Sequence, residues 1–78
     1  MSKAFGKHLQ ELRTEKTNYT RSQIAELIKV DLDTYQKYEL GEIEPSMHRM
    51  YKLIEVLEID LVTLLEYEED NNIALADK

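Results

Sequence analysis

The chain has 78 residues, of which 42% are hydrophobic, and it contains no cysteine. A chain of this length supports one small core, and without cysteine it forms neither disulfides nor thiolate metal sites. The net charge of −6 is unusual for a protein that binds a polyanion. The charge is unevenly spread: residues 1–30 carry six Lys or Arg against three acids, whereas residues 31–78 carry four against thirteen.

Several classes of function lack their usual sequence signals. No catalytic nucleophile with a base, metal-ligand cluster or phosphate-binding glycine loop is recognisable, so we expect no enzyme, no cofactor and no metal. No N-terminal apolar run predicts a signal peptide or a membrane span, so we expect a cytoplasmic protein without membrane contact. We expect residues 1–67 to form the folded domain and the acidic residues 68–78 to form a disordered tail.

A first helix is predicted from Ser2, a suitable N-cap, to about Lys16. Its apolar residues recur at steps of four and three, which predicts a stripe facing the core: Phe5, Leu9 and Leu12. Gly6 inside this helix costs about 1 kcal/mol relative to alanine. His8 lies beside the stripe, and the second histidine, His48, is distant in sequence. A boundary position therefore fits His8 better than a metal-ligand role.

A second helix is predicted to follow a break at residues 17–19. Thr20 and Gln23 have the spacing of a capping box, in which each side chain bonds the backbone amide of the other residue. The helix should therefore begin at Arg21. Its predicted apolar face contains Ile24, Ala25, Leu27 and Ile28.

A third helix is predicted after a tight turn. Asp31 or Asp33 can cap it, and Tyr35 and Tyr38 lie three residues apart on its predicted inner side. Gly41 stands just past its end, where a left-handed residue is expected. Residues 20–41 therefore predict a helix, a short turn and a second helix.

Two more helices complete the predicted domain. Pro45 disfavours helical geometry at the preceding residue, and Ser46 can cap a fourth helix that runs to about Glu58. The apolar face of this helix contains Met50, Leu53, Ile54 and Leu57, with Met47 and Tyr51 at its flanks. Asp60 can cap a short fifth helix that contains Leu61, Leu64 and Leu65. The patterns together predict an all-α fold.

A set of residues around the predicted turn resembles the motif of the phage-repressor-like helix-turn-helix family, of the XRE or Cro-CI type. The resemblance covers roughly residues 5–66 and depends on the combined spacing of Ala25, Val30, Thr34, Glu39, Gly41, Pro45 and Ser46. It implies a compact five-helix, lambda-repressor-like DNA-binding domain with the helix-turn-helix as helices 2 and 3. It also implies a transcriptional repressor whose third helix, around residues 31–39, reads the DNA major groove.

The resemblance also implies which residues contact double-stranded DNA. They are Arg21, Ser22, Leu32, Asp33, Gln36 and Lys37. Arg21 would contact a phosphate or a nearby base. Gln36 suits adenine, Lys37 suits guanine or phosphate, Asp33 suits the cytosine amino group, and Leu32 suits a thymine methyl group.

Two structural features follow from the same resemblance. Arg13 on the first helix and Glu39 at the end of the third are expected to form a largely buried ion pair. Lys29 occupies the turn position where the family usually has glycine, so we expect a left-handed backbone there, with a strain of about 1 kcal/mol.

A homodimer on a pseudo-palindromic operator is expected, since the family usually forms two-fold assemblies on half-sites about one DNA turn apart. The last two helices carry more apolar surface than so small a domain can hide. The predicted seam contains Met47, Tyr51, Leu61, Leu64, Leu65 and Tyr67.

A second hypothesis comes from the acidic residues around the third helix. Glu42 and Glu44 stand where the family often has Lys or Arg on phosphates, and Asp31 and Asp33 add negative charge. Carboxylates facing DNA reduce the affinity gained from counterion release. The alternative is a helix-turn-helix fold reused as an acidic protein-protein interaction module, with a basic protein partner and little or no DNA binding.

Overall fold

The computed structural model describes residues 3–67, and within this range it contains five α-helices and no strand. The helices are α1 (Lys3–Lys16), α2 (Arg21–Leu27), α3 (Leu32–Leu40), α4 (Met47–Leu57) and α5 (Leu61–Leu65). The predicted all-α, five-helix architecture is therefore confirmed. The predicted N-cap Ser2 and the predicted tail at residues 68–78 lie outside the described residues. None of the helices described is long and apolar enough to cross a membrane.

The helices begin where short polar side chains can accept from backbone amides. Thr20 Oγ1 accepts from the Gln23 amide at 3.1 Å, and Gln23 Oε1 accepts from the Thr20 amide at 2.9 Å, so the predicted capping box is present. Asp31, and not Asp33, caps α3 by accepting from the Thr34 amide at 2.8 Å. Ser46 and Asp60 cap α4 and α5 in the same way. Each cap contributes about 1 kcal/mol to helix stability.

The core lies where the apolar stripes of all five helices meet. Its residues are Phe5, Leu9, Leu12, Ile24, Ala25, Ile28, Tyr35, Tyr38, Met50, Leu53, Leu57 and Leu64. The prediction that Leu27 belongs to this face is wrong, because this residue is 45% exposed. The helices that α2 contacts are α3 and α4, and Ile24, Ala25 and Ile28 already fill those contacts. Leu27, in the last turn of α2, therefore faces outward.

Gly6 lets α1 and α3 approach closely. A Cβ atom at this position would lie 2.7 Å from the Gly41 nitrogen and still closer to the carbonyl oxygen of Glu39. Side-chain carbons are not tolerated at such distances from backbone atoms, so glycine is required here despite its low helix propensity. The C-terminal end of α3 is thereby packed directly on α1.

The turn between α2 and α3 has the left-handed residue expected from the family resemblance. Lys29 has φ 67°, which confirms that prediction. The Val30 amide then donates to the Ala25 carbonyl at 3.0 Å and closes the turn. Gly41 ends α3 with φ 75°, also as predicted. Glu58, with φ 58°, ends α4 in a left-handed conformation that sequence reasoning did not identify.

His8 joins the first helix to the last. Its Nε2 lies 2.8 Å from the carbonyl oxygen of Thr63, which can only accept, so Nε2 carries the hydrogen. The ring also lies beside Tyr67, whose own ring packs edge-on against Phe5 at a centroid distance of 5.7 Å. His8 is a half-buried boundary residue, as predicted.

Candidate nucleic-acid interface

The third helix buries one face and presents the other to solvent. Tyr35, Tyr38 and Glu39 are buried against the rest of the domain. Leu32, Asp33 and Gln36, three of the predicted base-contacting residues, are exposed, and so is Ser22 in the first turn of α2. Lys37 is half-buried. The predicted contact residues of α3 therefore lie on its outward side.

The buried end of α3 is held by a cluster of hydrogen bonds on Glu39. Arg13 donates from Nε to Oε2 at 2.7 Å and from Nη2 to Oε1 at 3.3 Å. Tyr35 donates its hydroxyl to Oε2 at 2.5 Å, and Arg21 donates Nε to Oε1 at 2.8 Å. We call these four residues the Glu39 cluster. It joins α1, α2 and α3, and it includes the Arg13–Glu39 pair that the resemblance implies.

The cluster keeps Glu39 ionised inside the protein. Burial alone would raise the pKa of this carboxyl, but the hydrogen bonds from Arg13 and then Tyr35 and Arg21 outweigh burial and leave the pKa below its ordinary value. The hydrogen bond to Glu39 also raises the pKa of Arg13. Burial, followed by the bond to Glu39, raises the pKa of Tyr35, which therefore remains a hydrogen-bond donor.

Arg21 has a contact that sequence reasoning did not predict. Its Nε bonds Glu39 while the Arg21 side chain remains 44% exposed. Eighteen residues separate the two partners, and no sequence pattern links them. A guanidinium has five N–H donors, so one bond to Glu39 leaves others for a ligand. Arg21 therefore connects the buried cluster to the surface.

A cavity of about 220 Å³ lies next to this contact, between α1, α2 and α3. It is lined by Gln10, Arg21, Gln36, Glu39 and Leu40. Sequence reasoning missed Gln10, which lies on the exposed side of α1 and shows no signal beyond its polarity. The cavity brings Gln36, a predicted base reader, next to Arg21, a predicted phosphate contact.

Lys37 and Asp33 contact each other. Their charged atoms are 3.3 Å apart, one helical turn along α3, and the Asp33 side chain is 77% exposed. Pairs of this kind contribute only about 0.3 to 0.5 kcal/mol and re-form easily with other partners. Lys37 therefore remains available to a DNA phosphate or base.

Comparison with known proteins identifies the family. Residues 9–64 match the family described as Helix-turn-helix. The chain belongs to the helix-turn-helix family. This confirms the resemblance inferred from the motif residues.

Named relatives of this helix-turn-helix chain are regulators. It is 32% identical over 62 residues to the SPbeta prophage-derived uncharacterized HTH-type transcriptional regulator YonR of Bacillus subtilis, covering 80% of this chain and 56% of YonR. It is 41% identical over 44 residues to the cryptic phage CTXphi transcriptional repressor RstR of Vibrio cholerae, covering 56% of this chain and 39% of RstR. The chain thus spans about half the length of these relatives or less.

A solved structure has the same fold. The restriction-modification controller protein C.AhdI from Aeromonas hydrophila superposes with a TM-score of 0.72 at 31% identity, over 78% of this chain and 87% of that one. The fold of most of this chain is therefore shared with a solved protein.

The predicted dimer residues of this helix-turn-helix domain differ in accessibility. Met47, Tyr51 and Leu65 are exposed, whereas Leu61 and Tyr67 are half-buried. Leu64 is 0% exposed, so its assignment to the seam is corrected: it belongs to the monomer core. Val62 on the same helix, which was not among the predicted residues, is 65% exposed. Helix periodicity could not distinguish these leucines, because a five-residue helix does not define one buried stripe.

Proposed function

We propose that this chain is a cytoplasmic, sequence-specific DNA-binding transcriptional repressor that inserts α3 into the major groove. The observation that carries the proposal is the division of α3 into a buried face, locked by Tyr35 and Glu39, and an exposed face with Leu32, Asp33 and Gln36. Helix-turn-helix proteins read base edges with the N-terminal part of this helix. Membership of the family and relatives named transcriptional regulators support DNA binding over the acidic protein-interaction module.

The exposed residues of α3 match the edges of different bases. Gln36 can pair its amide with adenine, Asp33 can accept from the cytosine amino group, and Leu32 can pack on a thymine methyl group. Lys37 can donate to guanine or to a phosphate. Ser22 and Arg21, at the start of α2, supply contacts to the DNA backbone.

The acidic composition should make affinity less dependent on salt than in a basic repressor. The two cations proposed to contact DNA, Arg21 and Lys37, already face carboxylates in the folded protein. With two such cations in each protomer, a dimer neutralises about four phosphates, and log affinity falls against log salt with a slope near −4. Specificity would then come mainly from base edges.

A homodimer is part of the proposal. Met47 and Tyr51 on α4, with Val62 and Leu65 on α5, are large apolar side chains that are exposed in one protomer. A two-fold seam on these helices would cover them, and it would set two α3 helices on half-sites about 34 Å apart on a pseudo-palindromic operator. Light scattering at tens of micromolar protein should give the dimer mass, and a monomer mass would contradict this assembly.

Selection from a pool of random duplexes, followed by titration of the selected duplex, tests DNA binding directly. The selected duplex should bind well below micromolar concentration at low salt. Gln36→Ala should cost about 1 to 3 kcal/mol on that duplex and leave binding to random DNA nearly unchanged. Replacing both Glu42 and Glu44 with lysine should raise affinity for every duplex, because it removes repulsion from the backbone.

One result would refute the proposal. If neither the parent protein nor the double-lysine variant binds any duplex below micromolar concentration at low salt, DNA is not the ligand of this surface. Binding to a basic protein would then become the better hypothesis for α3 and its acidic neighbours.

A further inference from the structure

We propose that Arg21 is a specificity-determining residue of this domain, because Glu39 holds its guanidinium in a fixed direction beside Gln36. This inference rests on the proposed DNA-binding function and assigns Arg21 a geometric role within it. An arginine that acted only as a charge would strengthen binding to every duplex alike. A directed arginine favours the duplex whose oxygens match its donors.

The carboxylate that directs Arg21 is itself immobile. Glu39 is buried, and both of its oxygens accept hydrogen bonds from Arg13, at 2.7 and 3.3 Å. Tyr35 adds a third bond at 2.5 Å. A group held by three bonds in a packed core has one orientation, so the 2.8 Å bond from Arg21 Nε fixes the plane of the guanidinium relative to α3.

Lys37, which lies on α3 with Glu39, provides a contrast to Arg21. Its partner Asp33 has a side chain that is 77% exposed, so this pair restricts the long Lys37 side chain only weakly. Arg21 has already lost part of its side-chain freedom before any ligand arrives. Immobilising such a side chain on binding costs about 0.5 to 1.5 kcal/mol, or roughly two- to twelvefold in affinity, and pre-orientation avoids this loss.

The cavity between α1, α2 and α3 places the directed guanidinium next to a base reader. Arg21 and Gln36 line the same 220 Å³ space, with Glu39 also in its wall. A nucleotide whose base edge meets Gln36 would therefore present its phosphate or sugar near the remaining Arg21 donors. The contact made by each residue should depend on the position set by the other.

The variant Arg21→Lys separates the effect of the fixed guanidinium orientation from the effect of the positive charge. Lysine keeps the positive charge but lacks the planar fork that bonds Glu39 through one nitrogen and a ligand through the others. Arg49→Lys is the matched control, because Arg49 lies on α4 and donates from Nη2 to the Lys29 carbonyl at 3.3 Å, outside this cavity. Dissociation constants for the selected duplex and for random duplex are measured at several salt concentrations.

The inference predicts a selective loss. Arg21→Lys should weaken binding to the selected duplex by about three- to tenfold, change binding to random duplex by less than about twofold, and leave the salt slope unaltered. Arg49→Lys should change both affinities by less than about twofold. In a Gln36→Ala background, the effect of Arg21→Lys should shrink to less than about twofold, because coupled residues are not additive.

Other results would overturn the inference and leave the proposed function intact. They are an unchanged affinity of Arg21→Lys for the selected duplex, an equal loss on both duplexes, and a full effect in the Gln36→Ala background. Failure of the parent protein to bind any duplex would instead refute the proposed function. Circular dichroism of each variant shows whether the domain remains folded, and Arg21→Lys should melt with the parent because its side chain is half-exposed.

Discussion

Removing the charge of Glu39 should destabilise the domain severely. In Glu39→Gln, one carboxylate oxygen becomes an NH₂ group. Either orientation of the amide places that group against donors, because Oε2 accepts from Arg13 and Tyr35 while Oε1 accepts from Arg13 and Arg21. At least one hydrogen bond from Arg13 becomes a donor-to-donor contact in either orientation, and the Arg13 guanidinium remains buried without its counter-charge.

The size of the stability loss in Glu39→Gln follows from the burial of the Arg13–Glu39 pair. Breaking one partner of a buried pair costs about 3 to 5 kcal/mol, whereas the half-exposed bond to Arg21 adds little. A small domain has a free energy of unfolding of about 5 to 15 kcal/mol, so the variant would lose a large share of it. For a domain of this size, 3 kcal/mol corresponds to a fall in melting temperature of at least about 12 °C.

Urea unfolding followed by circular dichroism measures this loss. Glu42→Gln is the matched control, because Glu42 lies exposed in the loop after α3 and its substitution should change the free energy of unfolding by less than about 0.5 kcal/mol. The two variants carry the same change in net charge, so a difference between their free energies of unfolding measures the contribution of the Glu39 cluster. A Glu39→Gln variant within about 1 kcal/mol of the parent would show that the pair is not a buried structural contact.

Three further predictions concern pH and backbone geometry. The folded-state pKa of Glu39 lies below its ordinary value of 4.5. Ionised Glu39 therefore contributes fully to the free energy of unfolding above pH 4.5, and this contribution is lost as the pH falls through the folded-state pKa. Urea titrations should therefore show the parent and Glu39→Gln converging in stability in acid, and a constant difference would contradict this. Lys29→Gly should be neutral or stabilising by up to about 1 kcal/mol, since glycine adopts φ 67° without strain, and a clear loss in the same assay would oppose it. Gly6→Ala should lower the free energy of unfolding by about 1 to 3 kcal/mol or more, because the added Cβ meets the backbone at the end of α3. If alanine instead stabilised the domain through its higher helix propensity, α1 and α3 would not be so closely packed.

Local chemistry allowed the helix boundaries to be read from the sequence. The capping box of Thr20 and Gln23, the Asp31 cap and the left-handed Gly41 each involve atoms within a few residues of one another. Their geometry is therefore largely independent of the rest of the chain. The Arg13–Glu39 pair and the left-handed Lys29 came from resemblance to a family, because no periodicity indicates either feature.

Tertiary packing decided the features that periodicity could not. Propensity makes Gly6 a defect in α1, but the approach of α3 makes it a requirement. Leu64 and Leu65 are adjacent and equally apolar, yet the docking of α5 buries the first and exposes the second. Arg21 was predicted from family resemblance as a contact to a phosphate or base, and only the fold brings it to a carboxylate eighteen residues away that two other helical side chains already hold. A hydrogen bond forms only when the donor-acceptor distance is correct to within a few tenths of an ångström. Between two helices, that distance is set by how the helices pack, and the spacing of residues within one helix does not encode the packing.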